Sequence, residues 1–118
     1  MTEIWHNPRC TKSRNAAAHL DAAGVEYTVR RYLDDPPTVE ELRAVLRRLD
    51  AEPWDITRTS EEIAKELGMS GWGRTEADRD RWLRALAEHP KLIQRPIVLT
   101  ADGGAVVARD EQSLRELD

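Results

Sequence analysis

The spacing of hydrophobic residues changes twice along the chain, from short alternating runs to helical stripes and back again. Residues 2–6 place a β-branched and an aromatic residue at the centre of a short run that stops at an Asn-Pro pair, which predicts a strand. Residues 13–23 repeat alanine and leucine at helical spacing, and Gly24 follows as the residue that ends the helix. Alternation over 27–32 predicts a second strand, before a double proline breaks the pattern.

The middle of the chain has helical periodicity. Thr38-Val39-Glu40-Glu41 is a capping box, in which the threonine hydroxyl and a glutamate carboxylate each bind a free amide at the start of a helix. Leucine and valine at helical spacing over 42–49 supply the apolar stripe of that helix. Short helical pieces are predicted over 54–67, and a further helix runs from about residue 76 to residue 88.

The final third returns to short apolar runs. Residues 97–100 and 105–108 flank a turn that contains Asp102-Gly103-Gly104, which predicts a hairpin. Asp110 is a cap for a last helix over 111–117. The element order is therefore β-α-β, a helical block, and β-β-α. A βαβ half followed by a ββα half is the arrangement of a thioredoxin-like α/β fold, with the helical block as an insertion between the halves.

Composition limits the class of protein. The chain has 118 residues, of which 40% are hydrophobic and 34% charged, and this is typical of one globular domain spanning residues 1–118. Its net charge of −4 gives no electrostatic argument for a nucleic-acid partner. No apolar run approaches the roughly 18 residues of a membrane span, and the first residues lack the layout of a secretion signal. We therefore expect a cytoplasmic protein without nucleic-acid or membrane partners.

The sequence contains a single cysteine, Cys10, which excludes an intramolecular disulfide, an iron–sulfur cluster and a CxxC pair. We expect neither a metal site nor a bound cofactor. A lone cysteine is more often a small buried hydrophobe, but Cys10 lies where a strand turns into a helix whose first amides favour negative charge. Three cations and two hydroxyls surround it within four positions, and such surroundings lower a thiol pKa from about 8.5 to roughly 3.5–7.5. The turn therefore predicts a nucleophilic thiolate and a place for a tetrahedral oxyanion.

Three neighbours of Cys10 are candidates for stabilising the thiolate. His6 either sits beside the sulfur, as an imidazolium or a hydrogen-bond donor, or faces solvent at the end of the strand. Thr11 and Ser13 either donate their hydroxyls to the thiolate or cap the helix, and the two roles are compatible. Lys12 and Arg14 are ordinary solvated charges on a helix unless they contact substrate.

Residues 6–14, His-Asn-Pro-Arg-Cys-Thr-Lys-Ser-Arg, resemble the active-site turn of the glutaredoxin-coupled arsenate reductase family. Ordered stretches further along agree with this, among them Thr57-Arg58-Thr59 and Arg95-Pro96-Ile97-Val98, so that the resemblance covers most of the chain. It implies a thioredoxin-like fold with a small mixed four-stranded sheet and a helical insertion over about 38–92. It also implies an enzyme that reduces arsenate to arsenite.

The resemblance assigns oxyanion binding to three arginines, Arg58, Arg95 and Arg109. Guanidinium groups suit this role because they are planar, always charged and present several donors, although each residue could equally be a surface arginine. Two carboxylates, Asp110 and Glu111, follow Arg109 and would weaken its hold on an anion. The resemblance further implies a cis peptide bond before Pro96, opposite the cysteine.

The implied reaction begins when the Cys10 thiolate attacks arsenate and water leaves. A small thiol such as glutathione then attacks, forming an arsenic–sulfur bond and reducing the arsenic. A glutaredoxin-like electron donor resolves the mixed disulfide and frees Cys10. Because the chain has no second cysteine, the resolving thiol must come from outside, as a co-substrate rather than a bound cofactor.

Two other functions stay open on the sequence. One is a thiol-dependent reductase of the same fold that acts on another substrate, such as a glutathione mixed disulfide. The other is a regulator related to the Spx-type proteins, which share the fold and bind RNA polymerase. Those regulators switch through a CxxC pair, whereas the second position of that pair is Ser13 here.

Overall fold

The computed structural model describes residues 1–117, so that residue 118, the last of the predicted domain, lies outside the described residues. The chain forms two compact units. The first, which we call the sheet unit, consists of residues 1–35 and the segment that begins at Arg95. The second, the helical unit, consists of residues 36–94 and corresponds closely to the insertion predicted over about 38–92. The single-domain organisation stays a prediction.

The sheet unit contains a mixed four-stranded sheet. Its strands are β1 (Thr2–Trp5), β2 (Tyr27–Arg30), β3 (Ile97–Leu99) and β4 (Ala105–Val107), in the order β2-β1-β3-β4. β1 is parallel to β2 and antiparallel to β3, and β3 is antiparallel to β4. This is the thioredoxin-like arrangement that the element order predicts.

The core of the sheet unit lies between the sheet and the first helix. Ile4 pairs with Val98 across the two central strands, and both pack against Ala16 and Leu20. β2 is shorter than the predicted 27–32, because the chain turns after Arg30 with two amides bonded to one carbonyl oxygen. The outer position of this strand leaves Val29 52% exposed.

Two helices belong to the sheet unit. α1 (Thr11–Ala22) begins two residues before the predicted start, because Cys10 itself takes the extended N-cap conformation and its carbonyl accepts the first helical hydrogen bond. The helix ends before Gly24, whose φ of +70° is the left-handed conformation that glycine adopts readily. α5 (Glu111–Arg115) is capped by Asp110 as predicted, and it is shorter than the predicted 111–117.

The helical unit contains α2 (Val39–Leu49), α3 (Glu62–Leu67) and α4 (Arg79–Glu88), joined by short 3₁₀ turns. The capping box predicted at the start of α2 is present, with both of its hydrogen bonds 3.1 Å long. The helix predicted from residue 76 to residue 88 is divided, because Thr75 and Asp78 form another capping box around a separate 3₁₀ turn. Within residues 1–117, none of the helices is both long enough and apolar enough to cross a bilayer.

Candidate active site

Cys10 occupies the junction between β1 and α1. Its backbone is extended, with φ −97° and ψ 125°, and its amide donates to the carbonyl of Asn7 at 3.0 Å. The Asn7 side chain accepts the amide of Arg9 at 3.0 Å, which closes the turn that leads to the cysteine. Cys10 as a whole is 8% exposed. The thiol therefore sits at the start of a helix with restricted access to solvent.

Arg95 contacts the sulfur directly. Its Nε–H donates a hydrogen bond to Sγ of Cys10 at 3.0 Å. The sheet explains how residues so distant in sequence meet: β3 runs antiparallel to β1, so that Trp5 at the end of β1 lies beside Ile97 at the start of β3. The segment just before β3 is thereby placed next to the turn that follows β1. Arg95 is one of the three arginines that the resemblance assigns to the oxyanion.

Pro96 follows Arg95 and is buried, and the Arg95–Pro96 peptide bond is cis. The resemblance implies this isomer. The carbonyl of Pro96 accepts a hydrogen bond from the amide of Ala108 at 2.9 Å, which fixes the proline to the segment after β4. The backbone on the C-terminal side of Arg95 is thus held by the sheet.

The surroundings of Cys10 lower its thiol pKa on balance. Burial raises the pKa, but the backbone amide of Ser13, the hydrogen bond and charge of Arg95, and the amide of Lys12 lower it below the ordinary value. The two amides belong to the first turn of α1, where amides have no partner inside the helix. A helix start and one guanidinium therefore favour the thiolate together.

His6 contacts Ser13 rather than the thiol. Its Nδ1 lies 2.6 Å from the Ser13 hydroxyl, which also accepts the amide of Asn7 at 3.0 Å. Burial, and then the charges of Arg31 and Arg14, lower the pKa of His6, so that the neutral ring is favoured over the imidazolium. The ring therefore contacts the Ser13 hydroxyl, and its predicted role in stabilising the thiolate stays a prediction.

The hydroxyls predicted for the thiolate have other partners. Ser13 acts on Cys10 through its backbone amide, while its side chain serves His6 and Asn7. The Thr11 hydroxyl accepts a hydrogen bond from Nη2 of Arg14 at 3.2 Å. Among residues 1–117, neither hydroxyl makes a hydrogen bond to the sulfur. This corrects the expectation that these hydroxyls donate to the thiolate.

Arg58 belongs to the helical unit, where its guanidinium has its own partners. Nη1 lies 2.7 Å from a carboxylate oxygen of Glu61 and 3.4 Å from the carbonyl oxygen of Lys91. The backbone amide of Arg58 also donates to the carbonyl of Leu92 at 2.7 Å. Its predicted contact with an oxyanion stays a prediction.

Arg109 lies just after β4 and is exposed. Asp110, the next residue, caps α5 by accepting the amide of Ser113 at 2.8 Å. The hydrogen bonds from Ser113 lower the pKa of Asp110, and the charges of Arg109 and Lys12 lower it further. An ionised carboxylate thus lies within the electrostatic reach of both cations, as the sequence suggested for Arg109. Its predicted role in binding the oxyanion stays a prediction.

The structure adds one residue that sequence reasoning missed. Asn7 shapes the turn before Cys10 by accepting the Cys10 amide on its carbonyl and the Arg9 amide on its side chain. The Asn-Pro pair was a turn signal, and an asparagine side chain that bonds the amide two residues on is a common turn element. Among residues 1–117, no group of three or more histidine, cysteine, aspartate or glutamate side chains could hold a metal ion.

Comparison with known proteins gives consistent similarities. A model of the ArsC family matches residues 5–117. The chain is 41% identical over 113 residues to an arsenate reductase of Neisseria meningitidis, covering 95% of this chain and 93% of the other. It is 59% identical over 114 residues to an uncharacterized protein in the glnII region of Streptomyces viridochromogenes, covering 97% and 96% of the two chains.

A solved structure has the same fold. The arsenate reductase from Vibrio cholerae superposes with a TM-score of 0.83 at 37% sequence identity, covering 98% of this chain and 93% of the other. The similarity extends over nearly the whole length of both proteins. It therefore includes the turn at Cys10 as well as the sheet.

Proposed function

Because the chain belongs to the ArsC family, we propose that it reduces arsenate to arsenite with Cys10 as the nucleophile. The observation that most directly supports this is the 3.0 Å hydrogen bond from Arg95 Nε to the Cys10 sulfur. It combines an activated thiol with a guanidinium that is suited to a tetrahedral anion. The similarity to arsenate reductases supports the choice of substrate.

Arsenate binding is the first step of the proposed reaction. The N-terminal amides of α1 and the guanidinium of Arg95 attract the anion to the sulfur. Arg58 and Arg109 are proposed to contribute further donors. The Cys10 thiolate attacks arsenic, an arsenic–oxygen bond breaks, and the oxygen leaves as water after taking up protons. The product is a Cys10–S–arsenic(V) adduct.

The reduction needs a second sulfur and two electrons. An external thiol displaces another oxygen as water and becomes bound to the same arsenic atom. The two sulfurs then join, one electron pair stays on arsenic, and the arsenic takes up one water and leaves as arsenite while Cys10 is held in a mixed disulfide. The sum is one arsenate and two thiols converted to one arsenite, one disulfide and one water.

An external donor must restore Cys10, because the chain has no other cysteine. We propose glutathione as the small thiol and a glutaredoxin-like protein as the donor that reduces the mixed disulfide. Reduced thiols of this kind are maintained in the cytoplasm, which is the compartment that we propose for the protein.

The test is steady-state formation of arsenite by the purified chain with glutathione and glutaredoxin, with thioredoxin and its reductase in a parallel reaction. Turnover only in the reaction with glutaredoxin supports the proposed donor. Turnover only in the reaction with thioredoxin would mean that the reaction is arsenate reduction but that the donor is thioredoxin. Failure with both donors contradicts arsenate reduction. In that case, reduction of a glutathione mixed disulfide would indicate the other reductase, and binding to the RNA polymerase α subunit would indicate the regulator.

A further inference from the structure

Ser13 is a polar residue with no exposed surface, and both partners of its side chain lie at the end of β1. The hydroxyl oxygen is 2.6 Å from Nδ1 of His6, and it accepts the amide of Asn7 at 3.0 Å. The side chain therefore links the first turn of α1 to the two residues that follow β1. The hydrogen bonds of the Ser13 side chain do not involve Arg95 or the Cys10 sulfur.

The partners of the hydroxyl decide where its proton lies. A serine hydroxyl has one proton to donate and two lone pairs that accept. One lone pair takes the Asn7 amide, and the short contact with His6 needs a proton between oxygen and nitrogen. If the imidazole donated that proton, the serine proton would have no acceptor among the described residues, in a site without exposed surface. A buried donor without a partner is costly.

The geometry points to Ser13 as a positioning residue, whose hydroxyl holds His6 as the neutral ring protonated at Nε2 and ties the end of β1 to α1. Nδ1 accepts from the serine, so that the only proton of the neutral ring is on Nε2. The charges around the ring agree, because Arg31 and Arg14, together with burial, disfavour a second proton on it.

Two consequences for the turn follow. First, it contains a ring N–H that is fixed in identity and can donate a hydrogen bond. Second, the hydroxyl holds the segment whose Ser13 amide lowers the pKa of Cys10. Removing the hydroxyl therefore changes the tautomer of His6 and weakens the stabilisation of the thiolate.

The tautomer can be measured on the full chain by long-range ¹H–¹⁵N correlation spectra of the histidine rings near neutral pH. The His6→Asn variant identifies the signals of His6 among the three histidines. We expect an unprotonated Nδ1 and a protonated Nε2 in the unmodified chain, and a mixture of both tautomers in Ser13→Ala. A ring protonated at Nδ1 in the unmodified chain would overturn the inference, as would an unchanged spectrum in Ser13→Ala.

The second measurement is the rate of Cys10 alkylation as a function of pH. We expect Ser13→Ala to shift this profile upward by about half a pH unit, which lowers the rate at neutral pH by roughly threefold. The matched control is Thr38→Ala, which removes a hydroxyl that likewise accepts a backbone amide but lies in the helical unit. The control should leave both the profile and the His6 signals unchanged.

An equal shift in both variants would assign the effect to general loss of stability and would overturn the positioning role. Neither measurement contains arsenate or a reductant. Their outcome is therefore independent of the arsenate assay, and failure of the proposed function would leave the inference about Ser13 and His6 testable by itself.

Discussion

Arg95 and Cys10 are 85 positions apart in sequence, yet the Nε of the arginine donates to the sulfur of the cysteine at 3.0 Å. The antiparallel pairing of β1 with β3 places the two segments side by side. The same guanidinium lowers the thiol pKa and offers further N–H donors for an anion. In the proposed reaction, one side chain thus connects the activation of the nucleophile with the attraction of its substrate.

Replacing the nucleophile is the simplest test of the chemistry. Cys10→Ser should abolish arsenate reduction, because a hydroxyl at this position is not ionised near neutral pH and is a poor nucleophile. Arsenite production is the measurement, and the circular dichroism spectrum checks that the variant is folded. Retained turnover would remove Cys10 from the reaction.

Replacing Arg95 should affect substrate binding more than folding. We expect Arg95→Ala to raise the KM for arsenate roughly tenfold or more, since a hydrogen bond to a charged group contributes about 1.5–3 kcal/mol. Arg115→Ala, at an exposed position of α5, is the matched control and should leave the KM unchanged. If Arg95→Ala instead unfolded at a much lower temperature with an unaltered KM, the role of Arg95 would be structural.

The lowered pKa of Cys10 predicts how stability depends on pH. The native thiol releases its proton at lower pH than the unfolded thiol, so that the unfolded state binds more protons between the two pKa values. This stabilisation should be fully present above the unfolded pKa of about 8.5. It should be lost as the pH falls through the native pKa.

Urea unfolding of the unmodified chain and of Cys10→Ser measures this effect. The difference between the two free energies of unfolding should change with pH in the stated direction. If the difference in free energy stayed constant from below the native pKa to above the unfolded pKa, the thiol pKa would be the same in the native and unfolded states.

The carboxylate beside Arg109 can be tested without loss of the helix cap. Asp110→Asn removes the charge while asparagine keeps an oxygen that accepts the amide of Ser113. If Arg109 binds the anion, this variant should lower the KM for arsenate, because Arg109 and Lys12 are no longer partly neutralised. Arg109→Ala should raise it. An unaltered KM in both variants would place Arg109 outside the site.

The capping box of α2 predicts a change in stability alone. Thr38→Ala should lower the free energy of unfolding by about 1 kcal/mol, because the amide of Glu41 loses its acceptor. Urea unfolding measures this, with Thr59→Ala at an exposed position as the control. A loss of equal size in the control would mean that the cap contributes nothing specific.

The sequence was sufficient for those features that depend on neighbouring residues. The period of the apolar positions predicted the strands around Ile4 and Val98, and the spacing of Thr38 and Glu41 predicted a helix start. The start of α1 was placed two residues late, because the pattern of apolar positions does not report that Cys10 is the N-cap. Local rules therefore recover the elements and misplace some of their ends.

Contacts between distant segments could not be obtained from spacing. The sequence brought His6 and Ser13 near Cys10 but did not show that they bind one another, since that depends on how β1 meets α1. The resemblance supplied Arg95, and the pairing of β1 with β3 supplied its contact with the sulfur. The ion pair of Arg58 with Glu61 was likewise not apparent from the pattern, although the two are only three residues apart.

The serine at the third position of α1 has a consequence under oxidative stress. If peroxide converts the Cys10 thiolate to a sulfenic acid, the residue three positions further on is Ser13, whose hydroxyl cannot form a disulfide with it. Recovery then depends on a thiol diffusing in from solution before overoxidation occurs. The protein is thereby more vulnerable to irreversible inactivation than a protein with a CxxC pair when the supply of reduced thiols falls.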